Sequence, residues 1–304
     1  MSVAMRDAFG SKLAELGNTN KKIVVLDADV SSSTKSANFA KAFPDRFFNC
    51  GVAEGNMVGV AAGLASAGFH PAVNTFAIFL VLKGLDQIRH DFCYNHLPLV
   101  IAGSYGGFSD SFDGASHQII EDIAIMRALP NMEVLVPGDA KQAEAALDYA
   151  FTRTHPVYIR LCRNAVDELP GTVDFAAHTP LLLRQGKDVT IAATGIMAGR
   201  ALAAADLLKA RGVDAEVFSV PCIKPMDASL IASSLAKTKK LVTVEEHSIM
   251  GGFGSALLEN LAAAGGVSFS YTPVGVNDRF GDTGPYDALL SAYGLDAEGI
   301  AKQV

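Results

Sequence analysis

Short β-branched runs alternate with longer amphipathic segments along most of the chain, and that alternation leaves few architectures open. Residues 23–26, 71–74, 97–103, 133–136 and 157–161 read as strands, while 4–16, 54–67, 79–90, 119–128 and 140–151 carry helical periodicity. Strands separated by helices predict a parallel sheet covered on both faces. The alternation breaks at Leu169-Pro170-Gly171-Thr172, where turn chemistry opens a linker to about Lys187 with room for a short strand. It resumes with strands at 188–194, 215–220 and 241–245 and helices at 195–210, 228–236 and 252–263. The expected fold class is therefore α/β, with two doubly wound domains. The first, residues 1–168, has a mainly parallel sheet; a linker spans 169–187; a smaller domain spans 188–304. No short-period repeat or low-complexity tract interrupts the pattern.

Composition narrows the function classes. The chain has 304 residues, half of them hydrophobic and 19% charged, with a formal net charge of −7. That excludes disorder, which needs low hydrophobicity and high charge density. Cys50, Cys93, Cys162 and Cys222 are far apart and form no CxxC pair, so they read as small core hydrophobes of a reduced compartment. Without a basic stripe to displace counterions, a nucleic-acid partner is not expected. No apolar stretch approaches the ~20 residues of a spanning helix, so no membrane partner is expected either. The opening Met-Ser-Val-Ala-Met-Arg-Asp moves straight into an amphipathic pattern, which predicts a cytoplasmic protein without a cleavable leader.

In an open parallel sheet, ligands bind outside the carboxyl ends of the strands. Several of those ends carry unusual residues: Asp27, Asp29, Val30 and Ser31 to Thr34 after the first strand, and Thr75-Phe76-Ala77-Ile78-Phe79 after the second. Ser104-Tyr105-Gly106-Gly107 follows the third, and its loop runs on through Asp113-Gly114-Ala115-Ser116-His117; Arg163-Asn164 follows the last. Each has a plain structural explanation. Ser31 to Thr34 suit a helix cap, Phe76 and Phe79 at i, i+3 suit a core, and a lone His is weak evidence. Glu54 is different. An acid at a helix start is favoured by the dipole, but this one lies between Phe47-Phe48-Asn49-Cys50 and the small apolar run Val58-Gly59-Val60-Ala61-Ala62-Gly63. Desolvation there is expected to raise its pKa and make it a candidate for proton transfer.

Common catalytic signatures are missing: there is no G-x-x-x-x-G-K-[ST], HExxH or GxSxG. Gly251-Gly252-Phe253-Gly254 reads as a tight turn feeding the next helix, and Glu245-Glu246-His247 before it as a structural polar turn, with no catalytic role for His247.

Four segments in order carry a family resemblance: Gly51-Val52-Ala53-Glu54-Gly55-Asn56-Met57, Thr75-Phe76-Ala77-Ile78-Phe79, Asp113-Gly114-Ala115-Ser116-His117-Gln118 and Arg127-Ala128-Leu129-Pro130-Asn131-Met132. Together they resemble the carboxyl-terminal subunit of a split transketolase, that is, a pyrimidine-binding domain followed by a transketolase carboxyl-terminal domain. More distantly the chain is similar to 1-deoxyxylulose-5-phosphate synthase. The resemblance implies a thiamine diphosphate enzyme that moves a two-carbon unit from a ketose phosphate to an aldose. It implies that Glu54 hydrogen-bonds N1′ of the cofactor's aminopyrimidine, which promotes loss of the thiazolium C2 proton. It further implies that Phe79, with Phe76 beside it, stacks on the pyrimidine, and that Asp29 and Val30 complete the cofactor site. His117 then serves in catalysis and, with Asp113, binds donor hydroxyls, while Arg6, Ser33 and Arg163 grip the sugar phosphate.

Three departures fall in the same region. Tyr105 stands where the family usually has a phosphate-contacting His, Phe112 where it has a Glu, and Leu82 where full-length members often have a cofactor-site Tyr. Tyr105 thus joins the expected substrate-binding residues, and a non-standard ketose comes into question. The Gly-Asp-Gly…Asn signature that anchors diphosphate and metal is absent, since neither Gly138-Asp139-Ala140 nor Gly281-Asp282-Thr283 fits it. No metal site is therefore expected on this chain; Mg2+ (or Ca2+) and the diphosphate are expected on an amino-terminal partner subunit, in an α2β2 assembly with sugar phosphate substrates. Competing expectations are a β subunit of a 2-oxo acid dehydrogenase first component, which Asp113 and His117 disfavour, and a non-catalytic regulatory subunit.

Overall fold

The computed structural model describes residues 2–266 and 268–304. Among these residues the strands form three sheets. In spatial order the largest comprises Cys222–Lys224, Glu133–Leu135, Pro156–Leu161, Leu99–Ser104, His70–Phe76, Ile23–Asp27 and Phe47–Asn49. All neighbouring pairs are parallel except the edge pair of Cys222–Lys224 with Glu133–Leu135. The second sheet runs Ser270–Val276, Lys240–Ser248, Val189–Ala193, Ala215–Ser219 and Leu181–Arg184, parallel apart from the last strand. Val3–Ala4 and Ala165–Val166 form a small antiparallel ladder.

The strands lie where the uninterrupted apolar runs predict, because a parallel sheet covered on both faces buries every side chain. Ile23–Asp27, Leu99–Ser104, Pro156–Leu161 and Val189–Ala193 are buried throughout. Helices Met5–Thr19 and Ala140–Ala150 cover one face of the larger sheet, with Phe9, Leu13, Ala143 and Leu147 in its core. Helices Glu54–Ser66 and Ala77–Gln87 cover the other through Met57, Val58, Leu80 and Val81. Cys93, Cys162 and Cys222 pack as core side chains, and burial pushes their thiols up to about 11, 12 and 12. Among the described residues no helix is long and apolar enough to cross a membrane.

Several elements differ from expectation for identifiable reasons. The helix expected at 79–90 begins at Ala77, ends its α-helical part at Gln87 and continues as a π-helical segment, Ile88–Tyr94. Asn95 closes that segment by donating to the carbonyls of His90 and Asp91. The helix expected at 119–128 starts only at Asp122, because Ile119 exchanges backbone hydrogen bonds with Gly107 and Ile120 accepts one from Ser248. The strand expected to stop at 245 runs on to Ser248, so Glu245, Glu246 and His247 are buried strand residues and not a polar turn. Cys222–Lys224 was not anticipated at all: it crosses from the smaller half to the edge of the larger sheet and ties the two together.

Candidate active site

The carboxyl edge of the larger sheet is shaped first by Asp27, which ends its strand fully buried. Its Oδ1 accepts the Val30 N–H at 2.7 Å, and its Oδ2 accepts the hydroxyls of Ser36 and Thr34 at 2.8 and 3.0 Å. Burial raises the pKa of this carboxyl and the three donors oppose the shift. One buried acid thus folds residues 28–36 into a compact loop. Ser31–Thr34 forms one helical turn there, and Asp29 adopts φ +67°. Asp29 lies exposed at the loop surface, held by the Asn49 amide at 2.8 Å, while Val30 is half-buried.

Glu54 opens its helix on the same edge and is only 3% exposed. Among the described residues its carboxylate accepts no hydrogen bond; its nearest cation is the Lys83 ammonium at 3.6 Å. Lys83 reaches it from the helix Ala77–Gln87 and lies 4.4 Å from the Phe79 ring centroid. Phe79 stacks on Phe76 at 5.9 Å with 22° between the planes, and the His117 ring meets Phe79 edge-on at 5.2 Å. A nearly buried carboxylate beside an aromatic face can accept a hydrogen bond from a flat, nitrogen-containing ring. Leu82, one of the departures, is about half exposed on the same helix.

Phe76 also packs on Tyr105, 4.3 Å between centroids. Tyr105 is buried, takes φ +64°, and lies between two guanidiniums: Arg6 at 5.6 Å and Arg163 at 5.1 Å from its ring. Arg6 Nη1 donates to the Tyr105 hydroxyl and to the Ser33 carbonyl. Ser33 enters the cluster through this backbone oxygen and not through its hydroxyl. Arg163 Nη1 donates to Asp110 Oδ1 at 2.9 Å. Asp113 is exposed, and the ring of Phe112 beside it is 68% exposed. A cleft of about 360 Å³ adjoins Arg163, with Ser109, Ser111, Phe112, Asn164 and Tyr286 in its wall.

The loop that carries Tyr105, Asp110, Asp113 and His117 is fastened from the smaller half. Glu246 Oε1 accepts the Phe108 N–H and the Tyr286 hydroxyl, each at 2.9 Å. Gly107, at φ +67°, lies so close that a Cβ there would collide with the Glu246 carboxylate. Gln118 donates to the Asp282 carbonyl, and Gly284 N–H to the Ser111 carbonyl. Arg160 bridges the halves, its Nε on Asp122 at 2.8 Å and its Nη2 on the Glu246 carbonyl at 3.0 Å. Burial raises Glu245 and Glu246 to about 7. Glu245 caps the following helix by accepting the N–H groups of Phe253 and Gly254. His247 accepts the Ala124 N–H at Nε2 and meets the Ser248 carbonyl through Nδ1, the pattern of a neutral ring. Burial lowers its pKa to about 4.

Glu54, joined through Lys83, and Phe79, Phe76, His117, Tyr105, Arg6, Ser33 and Arg163 therefore form one continuous run of contacts; Asp113 adjoins it beside Asp110, whereas Asp29 and Val30 stand at its margins. Sequence reasoning singles out Asp27 only as a strand-end acid and does not single out Asp110 or the contact of Glu246, yet these three hold that run in place. Asp27 is visible as an acid at a strand end; Asp110 lies six residues past the end of its strand, and Glu246 carries no local signal for a contact so distant in sequence. Among the described residues no three His, Cys, Asp or Glu side chains converge as metal ligands. Asp139 is committed to the Gln142 and Leu169 N–H groups, and Asp282 to the Tyr293 hydroxyl.

Comparison with known proteins matches residues 1–168 to the transketolase pyrimidine-binding domain and residues 179–300 to the transketolase C-terminal domain. A putative transketolase C-terminal section of Methanocaldococcus jannaschii is 42% identical over 303 residues, covering 99% of this chain and 95% of that protein. A 6-deoxy-6-sulfo-D-fructose transketolase subunit of a Clostridium species is 38% identical, with 98% and 92% covered. The 1-deoxy-D-xylulose-5-phosphate synthase 1 of Geobacter sulfurreducens is 37% identical over 96% of this chain, which spans 46% of that enzyme. Among solved structures, a split-gene transketolase described as an inactive β4 tetramer superimposes with a TM-score of 0.89 at 46% identity, covering 100% of this chain and 97% of its own. The transketolase of Leishmania mexicana shares the fold, with a TM-score of 0.84 at 23% identity over 99% of this chain and 45% of that one.

Proposed function

The chain belongs to the transketolase family, and from that premise we propose that it is one subunit of a two-chain, thiamine diphosphate-dependent transketolase that moves a two-carbon ketol unit from an anionic ketose to an aldose. The observation that carries this reading is Glu54: a nearly buried carboxylate with no hydrogen-bond donor among the described residues, whose nearest cation, the Lys83 ammonium, also lies over the Phe79 ring. That pairing fits an aminopyrimidine.

When bound, thiamine diphosphate supplies the nucleophilic carbon and the electron sink for cleaving the ketose. The protein's part follows from its own residues. Glu54 holds a proton at pyrimidine N1′, Phe79 and Phe76 present the stacking face, and Asp29 and Val30 border the cofactor on the loop that Asp27 folds. His117, against Phe79, orients donor hydroxyls with Asp113 and moves a proton at the donor oxygen. Arg6 and Arg163, with Tyr105 and the Ser33 carbonyl between them, grip the anionic end of the donor. Tyr105 and Phe112 shape this end for a non-standard ketose, and the Clostridium relative, by its name, acts on 6-deoxy-6-sulfo-D-fructose.

The metal, Mg2+ (or Ca2+), and the diphosphate belong in this reading to an amino-terminal partner subunit, within an α2β2 assembly. Supporting this, Asp139, the acid of one of the two Gly-Asp segments, is committed to the Gln142 and Leu169 N–H groups. The Methanocaldococcus relative is likewise named as a C-terminal section, and the split-gene structure is described as inactive.

Reconstitution tests the reading. Produced with a partner chain carrying Gly-Asp-Gly…Asn, the complex should transfer a ketol unit that neither chain transfers alone. Activity of the isolated chain would overturn the two-chain assignment, and decarboxylation of 2-oxo acids in place of ketol transfer would move the protein to the β subunits of 2-oxo acid dehydrogenases.

A further inference from the structure

The anionic end of the donor site holds less positive charge than its two arginines suggest. Asp110 is 1% exposed, and its Oδ1 accepts from Arg163 Nη1 at 2.9 Å. Its Oδ2 is buried without a hydrogen-bond partner. Arg6, by contrast, has no carboxylate partner among the described residues; its Nη1 goes to two neutral oxygens, the Tyr105 hydroxyl and the Ser33 carbonyl, and its buried Nε is unpartnered. Tyr105, lying between the two guanidiniums, adds no charge. Two guanidiniums face two carboxylates, because Asp113 lies against Asp110, and little net positive charge is left to meet the ligand. A second negative charge on that ligand would face the Asp110 carboxylate, which is itself 1% exposed and so weakly screened, and like charges repel.

We propose that this site selects ketose donors whose far end carries one negative charge, as a sulfonate does, against donors ending in a dianionic phosphate, and that Asp110 sets the preference. The inference rests on the ketol-transfer reading of the same site. Burial, then Asp113, raise the Asp110 pKa above the ordinary carboxylate value, and Arg163 and then His117 oppose the shift. Asp110 acts on the donor through charge, beside the groups that grip it, and is a specificity residue.

The experiment uses the reconstituted two-chain complex and two pairs of probes. One pair is the unreactive hexitols bearing a sulfonate or a phosphonate at C6, which share shape and differ by one charge at alkaline pH. The other is the corresponding ketoses. Calorimetry should show the sulfonate hexitol binding about tenfold more tightly than the phosphonate, and Asp110→Asn should erase most of that ratio. Equal or tighter binding of the phosphonate by the unmodified complex overturns the proposal. So does an assembled Asp110→Asn complex that keeps the full preference. If Asp110→Asn fails to assemble, Asp110→Ser takes its place and the wild-type ratio still decides the charge preference. Failure to cleave either ketose, with discrimination between hexitols intact, overturns the ketol-transfer reading and leaves the charge preference standing.

Discussion

The carboxylate of Glu246 accepts the backbone N–H of Phe108 at 2.9 Å across 138 residues of sequence, so a side chain of the smaller half holds the loop that carries Tyr105, Asp113 and His117. Both residues are buried, and Tyr286 shares the same carboxylate oxygen. Glu246→Ala leaves two buried donors unpaired. It should lower unfolding free energy by about 1–3 kcal/mol in urea denaturation, and by loosening the loop should raise the donor KM of the reconstituted complex more than it lowers kcat.

The pH dependence of stability follows from the same carboxyl. Its folded pKa of about 7 stands above the ordinary 4.5, because burial disfavours the charged form. The folded state then holds the proton while the unfolded state releases it. The resulting loss of stability accrues as pH rises from 4.5 and is complete above about 7. Glu246→Gln, neutral at every pH, should therefore gain stability relative to the parent chain as pH rises from 5 to 8, read as a widening gap in denaturation midpoints.

His70 carries the opposite sign. Burial lowers its pKa from 6.5 to about 4, its Nε2 has no partner, and its ring rests edge-on against Phe151 at 5.0 Å. The stability tied to its neutral form is full above 6.5 and is lost as pH falls toward 4. His70→Phe should flatten the acid limb of a stability-against-pH profile.

Asp27 organises the loop at 28–36 through three hydrogen bonds. Asp27→Ala strands the Val30 N–H and two buried hydroxyls, so a loss of about 2 kcal/mol or more is expected in denaturation. Limited proteolysis should then cut within 28–36, a segment the parent chain protects.

At Glu54 the expectation concerns chemistry and not folding. Glu54→Gln keeps the shape but cannot exchange a proton, and the side chain makes no hydrogen bond that the fold depends on. The reconstituted complex should assemble normally, by gel filtration and circular dichroism, yet lose roughly 10²–10⁴-fold in kcat. Retained activity would remove Glu54 from the N1′ role.

Much of this was legible in the chain. The parallel strands announced themselves as continuous apolar runs because both faces of the sheet are covered. Glu54 stands out as an acid in a run of small apolar residues, whereas the i, i+3 spacing of Phe76 and Phe79 suits a core and only the family resemblance assigns them to the site. Other features had no local signature. The polar triplet Glu245, Glu246 and His247 resembles a turn, and only its burial between two halves, beside Asp122 and Arg160, makes it strand. The start of the helix at Asp122 depends on the bridge between Ile119 and Gly107, which periodicity does not register. Ser33, expected among the groups that grip the sugar phosphate, meets Arg6 through its backbone carbonyl, which no side-chain pattern signals.

By itself, then, the sequence determined the α/β class, the layering and the residue types gathered at one sheet edge, because periodicity and strand-end chemistry are local properties of the chain. Tertiary structure alone decided three things. It paired Asp110 with Arg163, set Glu246 against Phe108, and sent Cys222–Lys224 back to the larger sheet. Each joins segments distant in sequence, the first within the larger half and the other two between the halves, and such contacts exist only once tertiary packing has removed the water that would otherwise satisfy those groups.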